Sequence, residues 1–150
     1  FVGTFEQRAE EKNKELVRHY WDGKWNSRSS KILDERLSPD VVYRSPSMKM
    51  NGIDEYKEVY RAFASAFQDT RLTVDDIVAE NDKVVSRVTI RCTHAGELEG
   101  IQPTGNRLTV KAFTFFRLEN GLIVEEHELL DELGMMHQLG LELSPATEKP

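Results

Sequence analysis

The chain has 150 residues, of which 39 % are hydrophobic and 31 % charged, with a net charge of −6. That length suits a single domain, 1–150 with an ordered core expected at about 6–142, able to bury roughly two-thirds of the surface its unfolded form exposes. No apolar run approaches the roughly 18 residues of a bilayer span, and no clustered basic face is present to meet a nucleic acid or an anionic membrane.

Glu6 to Trp21 contains no Gly or Pro and spaces Ala9, Leu16, Val17, Tyr20 and Trp21 along one stripe, which predicts an amphipathic helix. The polar stretch Asn26 to Ser30 ends it. Ser30 is placed to cap a second short helix through Leu37, which Pro39 stops. A short strand, Val41 to Arg44, and a loop through Met48, Met50 and Gly52 lead to a third helix, Ile53 to Phe67. The character then turns extended. Leu72 to Ala79 and Lys83 to His94 are rich in β-branched residues, with Glu80-Asn81-Asp82 as the hairpin between them. Along the second of these strands Val84, Ser86, Val88, Ile90, Cys92 and His94 share one face, and Val85, Arg87, Thr89, Arg91 and Thr93 the other. A connection rich in turn residues, with Gly96, Gly100, Pro103 and Gly105, leads to a strand from Leu108 to Leu118. Asn120-Gly121 then signals a tight hairpin into a last strand, Leu122 to Leu130. Cys92, the one cysteine, falls within a strand, where a buried inert thiol is expected. With no signal-peptide pattern at the N-terminus, a reducing, cytoplasmic setting is expected.

Helices followed by consecutive antiparallel strands form an α+β pattern, with the helices covering one face of a curved sheet. The hollow between them is the natural place for a hydrophobic small molecule. Candidate linings are Tyr20, Trp21, Trp25, Phe63, Phe67, His94, Leu129, Asp131 and Met135, although aromatic and Met residues at such spacings also make plain core. Asp131 stands at the end of a strand, before Glu132-Leu133-Gly134. It reads either as a carboxylate aimed into the hollow or as a cap on the short helical turn that follows. No short paired His or Cys spacing of a metal site is present, and neither is a phosphate loop or a dinucleotide fingerprint.

Three segments together resemble the SnoaL-like polyketide cyclases, also called ester cyclases. They are Thr93-His94-Ala95-Gly96, Gly100-Ile101-Gln102-Pro103-Thr104-Gly105, and Asp131-Glu132-Leu133-Gly134 with Gln138-Leu139-Gly140. The likeness runs from about Glu11 to Leu141. It implies the cone-shaped α+β fold of the nuclear transport factor 2-like proteins, with N-terminal helices over a curved antiparallel sheet. It also implies cofactor-free acid/base chemistry, an aldol closure or isomerisation of a hydrophobic carbonyl compound. In that scheme Asp131 corresponds to the family's acid/base aspartate, and His94 would donate to the enolate. Family members often carry a Trp four residues before the aspartate; this chain has His127 there, which would change the pocket's polarity or else sit half-exposed on a Glu-rich strand. The resemblance further implies a homodimer through the sheet face that bears Thr109, Lys111, Phe113, Phe115 and Arg117. A ligand-binding or dimerisation module of the same fold, without catalysis, is the alternative reading.

Overall fold

Helix α1 (Gly3–Trp21) buries Leu16, Val17, Tyr20 and Trp21, the C-terminal part of the predicted stripe. The chain does not leave the helix at Trp21. It widens into one π-helical turn, Asp22–Asn26, closed by the Ser27 N–H donating to Asp22 O at 2.9 Å. Gly23 permits this turn to lie flat on its neighbour, since a Cβ there would stand 2.8 Å from Ile32 Cγ1. Helix α2 (Lys31–Arg36) buries Ile32 and Leu33, and Ser30 precedes it without making a side-chain cap bond. Strand β1 (Leu37–Arg44) starts four residues before the expected Val41, because Leu37 is already extended and pairs with the last strand. The segment expected to be a loop contains a short strand, β2 (Lys49–Asn51), and Gly52 then opens α3 (Ile53–Ala66). The structure, a computed structural model, describes residues 3–147; the fraying expected of residues 144–150 falls partly outside them.

The strands β3 (Phe67–Glu80), β4 (Lys83–His94), β5 (Arg107–Glu119) and β6 (Leu122–Leu130) complete a six-stranded sheet in the order β2-β1-β6-β5-β4-β3. All neighbours are antiparallel except β1 and β6, which run parallel. The Asn120-Gly121 hairpin is as tight as its residues predict. Glu119 pairs with Leu122, and both turn residues have positive φ (50° and 77°), the twist that suits a two-residue loop. The predicted alternation on β4 holds along its length: Val84, Ser86, Val88, Cys92 and His94 are buried and Ile90 is partly so.

One irregularity governs the inner surface. Leu118 pairs with Ile123, but its neighbour Arg117 pairs with Glu125, so Val124 is an extra residue on β6. A β-bulge of this kind shifts the alternation by one. Ile123 faces the core before the bulge, and Glu126, Glu128 and Leu130 face inward after it, opposite the inward Phe116, Thr114 and Ala112 of β5. Helix α4 (Glu132–Gln138) then closes the end of the sheet. The main core lies between α1, α3 and the sheet. A second apolar cluster around Phe67, Cys92, Leu108 and Leu139 sits under α4.

Candidate functional site

Between α3, the inner face of the sheet and α4 lies a cavity of about 330 Å³, at the small end of the range for ligand pockets, about 300–1,000 Å³. Its walls are mostly apolar. Trp25 and Tyr60 pack together on one side, with ring centroids 5.3 Å apart, and Phe63 stacks on Phe67 at 6.3 Å on another. Leu98 closes over the cavity from the β4–β5 connection, where it bridges to Ile101. Ser47 and Glu132 meet near the mouth, with the hydroxyl donating to Glu132 Oε1 at 2.6 Å.

The polar groups gather on the wall formed by the π turn, β1, α3 and β6. Glu128 reaches the cavity, held by the Tyr43 hydroxyl on Oε1 at 3.0 Å and the Thr114 hydroxyl on Oε2 at 3.1 Å. Burial and the neighbouring Glu126 charge raise the Glu128 pKa above the usual carboxylate value; Lys24 and its two hydroxyl donors only partly offset this. Glu126, with no solvent exposure, lies behind the wall. Its Oε2 accepts from the Tyr20 hydroxyl at 2.9 Å and the Tyr56 hydroxyl at 2.8 Å. Lys24 lines the cavity at 6 % exposure and donates to the Tyr56 hydroxyl at 2.5 Å, while its ammonium stays 3.8 Å from Glu126 Oε1. Burial pushes the phenols of Tyr43 and Tyr56 up, and the Glu128 charge adds to this for Tyr43 as Glu126 does for Tyr56, so both serve as donors. Cys92 lines the cavity as well, its thiol pushed up to about 11 by burial, which makes it an inert apolar wall.

Of the residues singled out from sequence, Trp25, Phe63, Phe67 and Met135 line the cavity. Tyr20 and Trp21 are core beneath it; Tyr20 supports Glu126, and the Trp21 ring N–H donates to Ser86 Oγ at 3.1 Å. His127 and Leu129 are on the opposite, outer sheet face. There His127 meets the edge of Phe115, with ring centroids 5.9 Å apart, and approaches Glu125 at 3.4 Å, while Leu129 is 64 % exposed. The structure does not bring Asp131 and His94 together in the cavity. Asp131 is exposed and caps α4, its Oδ1 accepting from the Gly134 N–H at 2.9 Å. His94 is fully buried beside Phe67, and its Nδ1 accepts from the backbone N–H of Thr104 at 3.2 Å.

In this structure the residues of the three signature segments also hold the fold together. A Cβ at Gly134 would collide with the Asp131 carboxylate, which accounts for the Asp-x-x-Gly spacing. Gln138 takes the place of a strand partner beyond the end of β6: its side-chain amide accepts from Thr109 N at 2.7 Å and donates to Thr109 O at 2.9 Å. His94 and Thr104 tie down the β4–β5 connection, and Gly96 passes so near Ser65 O that a side chain there would collide with it. The titratable residues on and behind the cavity wall that sequence reasoning missed are Lys24, Glu126 and Glu128. Lys24 carried one usable signal, a lone cation between Trp21 and Trp25. Among the described residues, no group of three or more His, Cys, Asp or Glu side chains is placed to hold a metal ion.

An α+β fold with helices over one face of a curved sheet, enclosing an apolar chamber with a few convergent polar groups, defines a small-molecule pocket protein. The family model for SnoaL-like polyketide cyclases matches residues 15–139, and the chain belongs to that family. Aklanonic acid methyl ester cyclase DauD of Streptomyces sp. (strain C5) is 25 % identical over 126 residues, 83 % of this chain and 77 % of that relative. Among solved structures, AclR of Streptomyces galilaeus, described as a putative hydroxylase, superposes with a TM-score of 0.80 at 28 % identity, over 91 % of this chain and 90 % of its own. TsrD of Streptomyces laurentii superposes with a TM-score of 0.77 at 32 % identity, over 87 % and 96 %.

Proposed function

We propose that the chamber carries out cofactor-free acid/base chemistry on a hydrophobic carbonyl compound, an aldol closure or an isomerisation, with Glu128 as the group that moves the proton. The observation that carries this reading is Glu128 itself, an inward carboxyl in an apolar-walled cavity with a raised pKa and two hydroxyl donors fixing its direction. A base poised nearer neutrality takes a proton from carbon and returns it with less loss than an ordinary carboxylate. Asp131 and His94 enter this reading as positioning groups, the first for α4 and the second for the loop that carries Leu98. The cyclase activity named for DauD supports the reaction class, and the cavity walls favour an aromatic or polycyclic substrate body.

The test uses deuterium exchange at the carbon beside a carbonyl, followed by NMR on a panel of aryl ketones and β-keto esters in D2O. Catalysed exchange is expected for the parent protein and its loss, by about 10²-fold or more, for Glu128→Gln. Parent-like exchange in the folded variant would remove Glu128 from the reaction. We also infer a two-fold homodimer through the outer sheet face, supported by the exposure of Val78 (59 %), Phe113 (55 %) and Leu129 (64 %) on that one surface.

A further inference from the structure

Lys24 is held in a cage. Its ammonium lies 5.4, 5.3, 5.2 and 4.8 Å from the ring centroids of Tyr20, Trp21, Trp25 and Tyr56. Three of those rings come from its own segment, and the π turn that carries Lys24 wraps it among them. Four aromatic faces steady a positive charge, yet they do not fill its hydrogen-bonding directions. An ammonium has three N–H donors. One goes to the Tyr56 hydroxyl, and Glu126 Oε1 is 3.8 Å away, beyond hydrogen-bond reach. That oxygen has no hydrogen-bond partner at all.

If Lys24 served only to neutralise Glu126, the pair would close to the roughly 2.7–2.9 Å of a charge-assisted bond. Instead the Tyr56 hydroxyl stands between them, donating to Glu126 and accepting from Lys24. Lys24 is left desolvated, with open donors, on the wall of an apolar chamber. An oxyanion is the group such donors favour most, because the field of a desolvated cation is little screened. We propose that Lys24, steadied by Tyr56, is an oxyanion site, and that the chamber takes compounds bearing an acidic hydroxyl, an enol or a phenol, bound as the anion. This rests on reading the cavity as the reaction chamber. The hydroxyl loses its proton to bulk water, the O–H electron pair stays on oxygen, and the resulting anion is held at Lys24. Glu99 and Glu132 line the same cavity as Glu128 and oppose every bound anion alike, so the preference for an enol or phenol over a carboxylate rests on the proposed reaction, whose intermediate is an enolate.

Substituted nitrophenols, whose absorption bands differ between phenol and phenolate, serve as the probe, in buffer kept well below the free probe's pKa. The parent protein is expected to bind them with the phenolate band, and more tightly as the probe becomes more acidic. Lys24→Met should cut the bound phenolate fraction at least about tenfold, the ratio that one unit of lost pKa shift produces. Because that change leaves Glu126 without its cation, Lys24→Met combined with Glu126→Gln is measured beside it. Phenols that do not bind the parent, phenols that bind it un-ionised, or a phenolate band kept by both folded variants would each overturn the proposal. Glu128→Gln separates this site from the proton-moving group: it should abolish carbon exchange and keep the phenolate band. Normal exchange with the band intact would sink the role of Glu128 and leave the oxyanion site standing.

Discussion

At the scale of single residues, Glu128 shows a conflict between stability and chemistry. Its pKa is raised in the folded protein, chiefly by burial and then by Glu126. Between the ordinary carboxylate value and that raised value, the folded state holds more proton than the unfolded state. Stability therefore falls as pH rises through this window and is regained below it. Glu128→Gln has no proton to lose there and retains groups that can meet the Tyr43 and Thr114 hydroxyls. It is expected to be more stable than the parent near neutral pH, by roughly 0.5–2 kcal/mol, with the difference shrinking as the pH falls through that window and gone once it is below the ordinary carboxylate value of about 4. Urea unfolding of both proteins across that range tests this, and a variant less stable than its parent at neutral pH would contradict the burial argument. Lys24 and Glu126 pose the complementary problem. Each is buried and depends on the other, and leaving one alone is the kind of change that costs about 3–5 kcal/mol.

At the scale of elements, α4 is held by its ends. Asp131 caps its first turn, and Gln138 pairs with the exposed backbone of Thr109 on β5. Asp131→Asn keeps an acceptor for the Gly134 N–H and should stay within about 1 kcal/mol of the parent. Asp131→Ala loses the bond and should cost about 1 kcal/mol. Neither change touches the cavity wall, so carbon exchange should persist in both, read per folded molecule; its abolition by Asp131→Asn, with folding intact, would return the proton to Asp131. The sequence carried α1, α3 and the four long strands, because their apolar periods are regular and the Asn-Gly turn fixes its own geometry, although β3 starts at Phe67, five residues before the expected Leu72, where the polar run Gln68 to Arg71 gives no apolar alternation. The face of β6 was not legible. Counting by twos from the core residue Ile123 turns Glu125, His127, Leu129 and Asp131 inward, and the extra residue Val124 reverses that set. A run with acids on both faces, Glu125-Glu126-His127-Glu128, holds no hydrophobic signal that would disclose the bulge. The π turn was hidden for a similar reason. A wider turn changes hydrogen-bond partners without changing the apolar pattern that announces a helix.

At the scale of the whole molecule, the two faces of the sheet differ in what covers them. The inner face carries the helices and the chamber; the outer one bears Phe113, Phe115, Leu129 and Val78 with no element of the described residues over them. Flanking these are charges of both signs, including Arg87 beside Asp75 and Arg117 beside Glu125. A second copy turned through a two-fold axis sets apolar against apolar on such a surface. Sedimentation at tens of micromolar, about the concentration that fills a standard-sized interface, is expected to show a dimer. Leu129→Glu should shift it toward monomer with the fold intact. A monomeric parent under those conditions would leave the exposed aromatics without this explanation.

The bulge at Val124 also bears on how chains of this kind are compared. Along β6 two alternative sets of side chains are interleaved, Glu126, Glu128 and Leu130 in one and His127, Leu129 and Asp131 in the other, and the bulge at that one residue decides which set occupies the chamber. A relative that keeps that residue but pairs the strand without the bulge would present the second set inward from the same alignment columns, whereas one that lacks the residue would keep the first set inward. Matching columns in this strand therefore need not mean matching faces, and a one-residue gap at the bulge leaves the inward set as it is.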